Sequence, residues 1–556
     1  MMMRSFWFVM AAAMTAGCSK HSSSSNAVTP APGPFNLVST TVNGIPSGSS
    51  YNNISLSPVI KCSFSAPVDH SSMTNGFYLK DNSGTPVAYS VTYQNKDSVV
   101  VIQSGSALKP LTKYGFGFTT FLQSQEKIYL PSQSDFQFLT AIDSADKFPR
   151  ITDSALLTLV QQQTFRYFWD FGHPVSGMAR ERTSSGDVVT TGGTGFGIMA
   201  MLAATQRGFV TRQQSLARIS TIIGFLTGKA TRYHGAFSHW INGSTGATVP
   251  FSALDDGGDI VETSYLLMGL LCARQYYNNA TDSGETTLRA SVDSLYTGVD
   301  WNWYRQNGQN VLYWNWSPDH SWAVNVPVSG WDEALITYVL AASASPDSIP
   351  AIVYNNGWAR NGAMQNKKSF YGITLPLGPD YGGPLFFAHY SFMGIDPRGL
   401  SDAYANYWTQ DTAHTRINYL YCVADPKSYF GYSSLCWGLT ASDEQGGYSA
   451  HSPTNDDGVI SPTAAISSLP YTPVESMNAL RFFYYTLGDK LWNQYGFIDA
   501  FNLSTVWYDP DFLAIDQGPQ IVMIENYRSG LLWNLFMSCP EIKAGMKRLG
   551  FQGPSL

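Results

Sequence analysis

The side chains with the most chemical potential in this sequence are carboxylates, and they come in four settings. Asp255, Asp259 and Glu262 open the stretch DDGGDIVETSYLLMGLLCARQYY. Asp332 and Glu333 stand in SGWDEALITYVLAAS, Asp443 in WGLTASDEQGGY, and Asp516 with Glu525 in LAIDQGPQIVMIENYRSGLLW. Paired carboxyl groups are the equipment for hydrolysing a glycosidic bond. One gives a proton to the leaving oxygen, and the other activates water or attacks carbon. Each setting also has a plain structural explanation. First-turn acids suit the positive end of a helix dipole, Asp255 or Asp256 can cap, and Glu525 can pair with Arg528. Glu262 fits that explanation least well, because it has apolar neighbours.

Helices must position these groups. Read as a helix from Asp255 to Tyr277, the first stretch spaces Asp255, Asp259 and Glu262 four and then three apart, on one face. Apolar residues recur at three and four through SALLTLVQQQTFRYFWDF, Gly192 to Gly208, Gln213 to Gly228, Trp331 to Ala344, Pro384 to Met393, Ala403 to Val423, Val459 to Ser467, Pro473 to Leu487 and Pro519 to Met537. Pro519 is expected to start the last of these. Some ten to twelve helices with long Trp-, Tyr-, Gly- and Asp-rich loops predict a helical toroid over 146–556, with a broad cleft at one end. A solenoid shares this pattern.

Residues 35–145 read differently. KCSFSAPVD, FYLKDNSGTPVAYSVTY, SVVVIQ and KYGFGFTTFL cluster β-formers between Asn, Gly, Ser and Pro turns, as in a small β-sandwich. Its FSAPVD and LKPLTKYGF segments resemble bacterial Ig-like domains. Ahead of it, Arg4, a short apolar run and the small residues before Cys18 resemble a bacterial lipoprotein signal, with 1–17 removed and Cys18 lipidated. Residues 18–34 form a Ser/Pro-rich tether, so the mature protein is expected outside the cytoplasm, held to the cell envelope. Five cysteines remain after Cys18, an odd number. Cys422 and Cys436 lie close enough in sequence to bridge.

Composition narrows the class. The chain has 556 residues, 14% aromatic and 13% charged, with a net charge of −7. That length exceeds one small core, and that charge gives no electrostatic reason for nucleic acid. No phosphate loop, dinucleotide fingerprint or zinc-ligand spacing stands out, so neither cofactor nor metal is expected.

The motifs TFRYFWDFGHPVSGMARER, DDGGDIVETSYLLMGLL, GWDEALITYVLAAS, HYSFMGIDPRGL, CWGLTASDEQGGYSAHSPTNDDGVISPTAA and DAFNLSTVWYDPDFLAIDQGPQIVMIENYRSGLLW resemble, in order, the glucoamylase-like family that contains glycoside hydrolase family 144. The resemblance runs from Thr164 to Phe551. It implies an (α/α)6 barrel and metal-independent, inverting hydrolysis of β-1,2-glucan to sophorose or short oligosaccharides. By motif it assigns Glu333 as general acid and Asp516 as general base, with Asp443 a further acid that also qualifies as base. Asp259 and Glu262 fall on acids of the substrate cleft, beside Asp255. One departure is Trp331-Asp332, where the family pattern leads us to expect Tyr-Asn. Sugar contacts are expected from Trp169, His173, Arg180, Arg182, Trp314, Trp316, His389, Tyr390, Trp437, His451 and Tyr527. Core packing or ion pairing is the alternative for several of these. Two other functions remain open at this point: a uronate-directed lyase using His389 and Tyr390, and a non-catalytic surface glycan binder. A monomer touching the membrane only through its lipid is expected.

Overall fold

The computed structural model describes residues 33–47 and 51–556. The lipoprotein signal, Cys18 and nearly all of the tether lie outside them. The chain divides into two compact units.

In the first unit, alternation of buried and exposed residues drives sheet formation. Strands β1 (Leu37–Val42), β2 (Val59–Phe64), β4 (Tyr89–Gln94) and β5 (Val99–Ser104) form one antiparallel sheet in the order β1-β2-β5-β4, with the two-residue strand Ile45–Pro46 on its β1 edge. Strands β3 (Phe77–Asp81), β6 (Lys113–Phe118) and β7 (Ser134–Leu139) form a second sheet. Phe64 of β2 meets Phe118 of β6 edge-on with ring centres 5.1 Å apart, so inward rings of the two sheets share one core. This is an Ig-like sandwich.

The second unit is helical. Its longer helices are α1 (Asp153–Trp169), α2 (Thr191–Gln206), α3 (Arg212–Gly228), α4 (Ile260–Tyr276), α5 (Ser283–Thr297), α6 (Leu335–Ser343), α7 (Tyr407–Ala424), α8 (Pro462–Ser467), α9 (Pro473–Arg481), α10 (Ala514–Ser529), α11 (Leu531–Met537) and α12 (Pro540–Arg548). Helices α2 and α4 are buried on nearly every side, which fits their Gly-, Ala- and Leu-rich sequences with few charges. Helix α2 packs on α4 and α10, α4 on α6, and α10 on α8. Between α6 and α8 lie two 3-10 turns, Leu385–Ala388 and Ser391–Met393. The amide of Ile336 in α6 donates to Ser391 Oγ at 3.0 Å, and Tyr471 after α8 donates to the carbonyl of Ala388 at 3.0 Å. Helices α1, α3, α5 and α7 each keep an exposed side.

Close approach of α2 and α4 depends on glycine. A Cβ at Gly195 would lie 2.1 Å from the carbonyl oxygen of Tyr265. No side chain fits between these helices at that point.

Several boundaries differ from the sequence reading. Helix α4 begins at Ile260, so Asp255 and Asp256 lie in the turn before it. Pro384 to Met393 is two 3-10 turns rather than one helix. Helix α10 begins at Ala514, with Pro519 inside it. Cys422 and Cys436 are free, buried thiols, as are the other described cysteines. Among the described residues, no helix is long and apolar enough to cross a membrane.

Candidate active site

The four acidic settings converge on a cleft of about 400 Å³ in the helical unit. Aromatic rings dominate its walls: Trp240, Phe251, Tyr265, Trp314, Phe386, Tyr390 and Tyr448. Among these stand Glu181, Arg182, His239, Glu262 and Glu333. Ring faces beside a few polar groups suit a sugar, which has apolar C–H faces and a hydroxyl rim.

One wall is built on the start of α4. Asp259 is the N-cap, and its Oδ1 accepts from the amides of Val261 and Glu262 at 2.9 Å each. Its Oδ2 meets His239 Nδ1 at 3.0 Å. Glu262, in the first turn, accepts from the amide of Gly192 at 2.8 Å. That amide belongs to the first turn of α2, whose positive end favours a carboxylate. A Cβ at Gly192 would sit 2.5 Å from Glu262 Oε2, so only glycine admits this contact. Burial works against a charge on His239, but Glu262 and Asp259 outweigh it and raise its pKa to about 9. The imidazole is therefore a cation at neutral pH. Phe251 stacks on it with ring centres 4.2 Å apart.

Glu333 lies in the turn just ahead of α6. Its backbone carbonyl is held by the hydroxyls of Ser391 and Tyr265. Burial and the neighbouring Asp332 carboxylate hold its side chain well above the ordinary carboxylate range, with Glu262 and Asp259 adding to the effect. Burial also lifts Asp332 to about 7 and Asp255 to about 6. Glu333 thus faces the cleft with its pKa shifted in the direction a general acid needs.

The opposite wall carries a second group of acids. Asp516 sits in the first turn of α10, beside the cleft-lining Ile515. One of its carboxylate oxygens is buried without a hydrogen-bond partner. Burial raises Asp516 to about 7, with the Asp443 charge adding and a hydrogen bond from Asp499 opposing. Asp499 is fully buried, and its Oδ2 accepts from the amide of Asp443 at 2.8 Å. Burial, then Asp516, pushes Asp499 well up, so in this pair Asp499 carries the proton and Asp516 the charge. Burial also lifts Asp509 to about 8. Arg182 is the counter-charge. Its Nη1 contacts both oxygens of Asp443, at 2.8 and 2.7 Å, while Nε and Nη2 bind Glu181. Tyr390 links the two walls, since its phenol lies near both Asp516 and Glu333.

Residues 325–540 match the family model described as putative glucoamylase, and residues 36–140 match the bacterial Ig-like domain model. A solved putative glucoamylase from Bacteroides uniformis is 53% identical, with a TM-score of 0.72 over 74% of this chain and all of that one. An endo-β-1,2-glucanase from Chitinophaga pinensis, solved with sophorotriose and glucose, is 50% identical, with a TM-score of 0.72 over 73% of this chain and all of that one. This chain belongs to the glucoamylase-like family. An exo-β-1,2-glucooligosaccharide sophorohydrolase of Parabacteroides distasonis is 45% identical over 428 residues, 73% of this chain. The match spans 59% of that relative's length.

Within this family member the cleft gathers some of the expected side chains and leaves out others. Arg182, Glu262, Trp314, Glu333 and Tyr390 line it. Asp259, Asp443 and Asp516 stand directly behind, bonded or adjacent to lining residues. Asp255 adds to the acidic field at His239. The remaining expected sugar contacts are absent from the lining. His173 is buried, pairs with Asp187 at 3.2 Å and takes the amide of Val175 on its other nitrogen. Arg180 covers the ring of Phe171, and Trp169 lies under Arg218. Trp316 packs edge-on against Trp303 and His234. His389 is buried against Ser468, 3.0 Å away, which also removes it as a lyase base. Trp437 is core, packed on Tyr419. Tyr527 lies eleven residues beyond Asp516 on one helix, about 16 Å along its axis. His451 is buried, directly after the strand that carries Tyr448. Glu525 is structural: it binds Arg207 at 2.7 Å, while Arg528 turns to Thr158 and Gln161.

Sequence reasoning missed Glu181, His239, Trp240, Phe251, Tyr448, Asp499 and Asp509. Glu181 had a signal, lying between two arginines in MARER, and so did Asp509, in WYDPD. His239 and Phe251 had none, since each is defined by a partner distant in sequence.

Proposed function

We propose that this chain is a glycoside hydrolase that cleaves β-1,2-glucan with inversion. Glu333 gives its proton to the glycosidic oxygen. The ionised Asp516 takes a proton from the water that attacks the anomeric carbon, so a β linkage releases an α anomer. What supports this reading is a pair of buried carboxyl groups, Glu333 and Asp516, both raised above the ordinary carboxylate range and both close to Tyr390 at an aromatic, sugar-sized cleft. The relative solved with sophorotriose and the sophorohydrolase supply the substrate class, with sophorose or short β-1,2-gluco-oligosaccharides as products. Helices α2, α4, α6, α8 and α10, with the 3-10 turns at 385–393, are the inner members of an (α/α)6 toroid on this reading.

The same reading covers location and assembly. Cys18 carries a lipid, the helical unit acts at the cell envelope, and the protein works as a monomer. Metabolic labelling with a radioactive fatty acid tests the anchor: label is expected in the wild type and lost in Cys18→Ala.

The enzymatic test is release of reducing ends from linear β-1,2-glucan, with β-1,3- and β-1,4-glucans as controls. Release from the β-1,2 polymer alone is expected. Ultraviolet absorbance from an unsaturated product would point to a lyase, and binding without release to a glycan-binding protein.

A further inference from the structure

Behind the cleft wall lies a second group of donors that the proposed hydrolysis does not use. Strands β8 (Val188–Thr190) and β9 (Trp240–Asn242) pair and bring Thr190 and Trp240 to the cleft. A hairpin is formed by β10 (Ala441–Glu444) and β11 (Gly447–Ala450). It supplies Ala441, Tyr448 and Ala450 to the lining and holds Asp443 behind it. Glu444 ends β10, His451 follows β11, and Asp457 lies in the next loop. One donor atom from each of these three lies within 4.8 Å of the other two.

His451 makes this more than a group of surface acids. Its side chain is 1% exposed. Both ring nitrogens are buried without a hydrogen-bond partner. Protein interiors rarely leave an imidazole wholly unpaired. Nε2 points toward Glu444, whose Oε2 is 3.8 Å away, too far for a hydrogen bond. Two atoms bound tetrahedrally to zinc, at about 2.0–2.2 Å from it, lie roughly 3.3–3.5 Å apart. Closing this pair onto a shared ion therefore needs a shift of only a few tenths of an ångström.

We propose that Glu444, His451 and Asp457 bind one divalent transition-metal ion of the zinc class. One imidazole nitrogen and two carboxylate oxygens suit such an ion better than calcium or magnesium, which favour all-oxygen shells. The exposed Asp457 leaves an entry path and room for water. The loop is already held in place. Asp456 Oδ2 and Oδ1 accept from Tyr421 and Tyr432 at 2.9 and 2.6 Å, and the carbonyl of Asp457 accepts from Asn502 at 2.9 Å. The ion would tie the hairpin to this loop and so fix Tyr448 and Asp443 at the cleft. Its role is structural, and hydrolysis needs no step through it. The other carboxylate cluster, Asp443 with Asp499 and Asp509, belongs to the catalytic wall and already has Arg182 as counter-charge.

Zinc binding to the chelator-stripped full chain tests this. Titration with zinc chloride, followed by calorimetry and by thermal melting, is expected to show one saturable site per chain and a melting point raised by several degrees. His451→Gln, Glu444→Gln and Asp457→Asn should each weaken binding at least tenfold, and magnesium or calcium chloride should not substitute. If His451→Gln fails to fold, the two carboxylate variants decide. No saturable zinc binding, equal affinity in those variants, or binding of calcium in place of zinc would overturn the proposal. Because the readout is metal binding and melting, the outcome is independent of glucan hydrolysis.

Discussion

Arg182 and Asp443, 261 residues apart in sequence, meet with one guanidinium nitrogen on both carboxylate oxygens at 2.8 and 2.7 Å. Arg182 is the cation that the catalytic wall draws on. Asp443, Asp499, Asp509 and Asp516 are all buried there, and removing the guanidinium leaves them without it. Arg182→Ala is expected to destabilise the fold by about 1–3 kcal/mol, less than for a fully buried pair because Arg182 is partly exposed. Turnover should fall more than tenfold. Arg182→Lys should rescue little, since one ammonium cannot serve Asp443 and Glu181 in the same geometry. Urea melts and initial rates check both statements.

The raised acids set a pH signature. Asp516 at about 7 and Asp509 at about 8 are protonated in the fold at pH values where the unfolded chain is ionised. Folding then takes up protons. Their contribution to stability is full below about pH 4 and is lost as pH rises through 7 to 8. Asp509→Asn, neutral at every pH, should therefore raise the melting point at pH 8 and have little effect at pH 4. In gain of stability we expect about 1–2 kcal/mol at the higher pH. Equal effects at both pH values would contradict the assignment.

Catalysis should show the other face of the same titration. The base must be ionised, so kcat should fall as pH drops through about 7, with Asp516 as the titrating group. Asp499→Asn keeps a donor toward Asp516 and should leave the acidic limb near 7, whereas Asp499→Ala removes the donor and should move the limb to higher pH. An Asp499→Ala profile that does not move would separate Asp499 from the base.

His239 offers a direct spectroscopic check. Its charge depends on Glu262 and Asp259 against the cost of burial. By NMR the imidazole should titrate near 9, and Glu262→Gln should lower that value by more than one unit. A value at the ordinary histidine pKa in the wild type would mean that this wall is wetter than described.

Much of the site was legible because local chemistry and motif coincide. Glu333 stands beside a helix start, as its motif led us to expect, while the cap expected at Asp255 or Asp256 falls instead on Asp259. The errors have physical causes. A shared helical face for Asp255 and Glu262 failed because the helix starts at Ile260, after the short strand Gly258–Asp259, which pairs with Asn315–Trp316. Helix α5 escaped notice because SGETTLRASVDSLYT is rich in Ser and Thr, weak helix formers that here follow an Asp282 cap. Pro384 to Met393 has apolar spacing, yet it breaks into two 3-10 turns between Gly382-Gly383 and Gly394. Aromatic residues were the least readable. Trp314 lines the cleft and Trp316, two positions on, does not, although alternation in an extended segment would put both on one face: Trp316 pairs with Gly258 and packs on Trp303 and His234, contacts distant in sequence. Contacts such as Arg182 with Asp443 are set by the closure of the whole helical unit, and no local pattern contains them.

Trp314 also supplies a binding prediction. As a ring on the cleft wall rather than a proton donor, it should contribute to holding sugar and little to bond cleavage. Trp314→Ala is expected to raise KM about tenfold with kcat within a few-fold of wild type. A loss confined to kcat would place it at the reacting centre.

The most direct measurement is the rate of reducing-end release from linear β-1,2-glucan by Glu333→Gln, beside a wild-type control and a melting curve for each. Glutamine keeps the shape but carries no transferable proton. The account predicts a loss of about 10²–10⁴-fold with an unchanged melting transition. A folded Glu333→Gln protein that keeps a rate within a few-fold of wild type would contradict it.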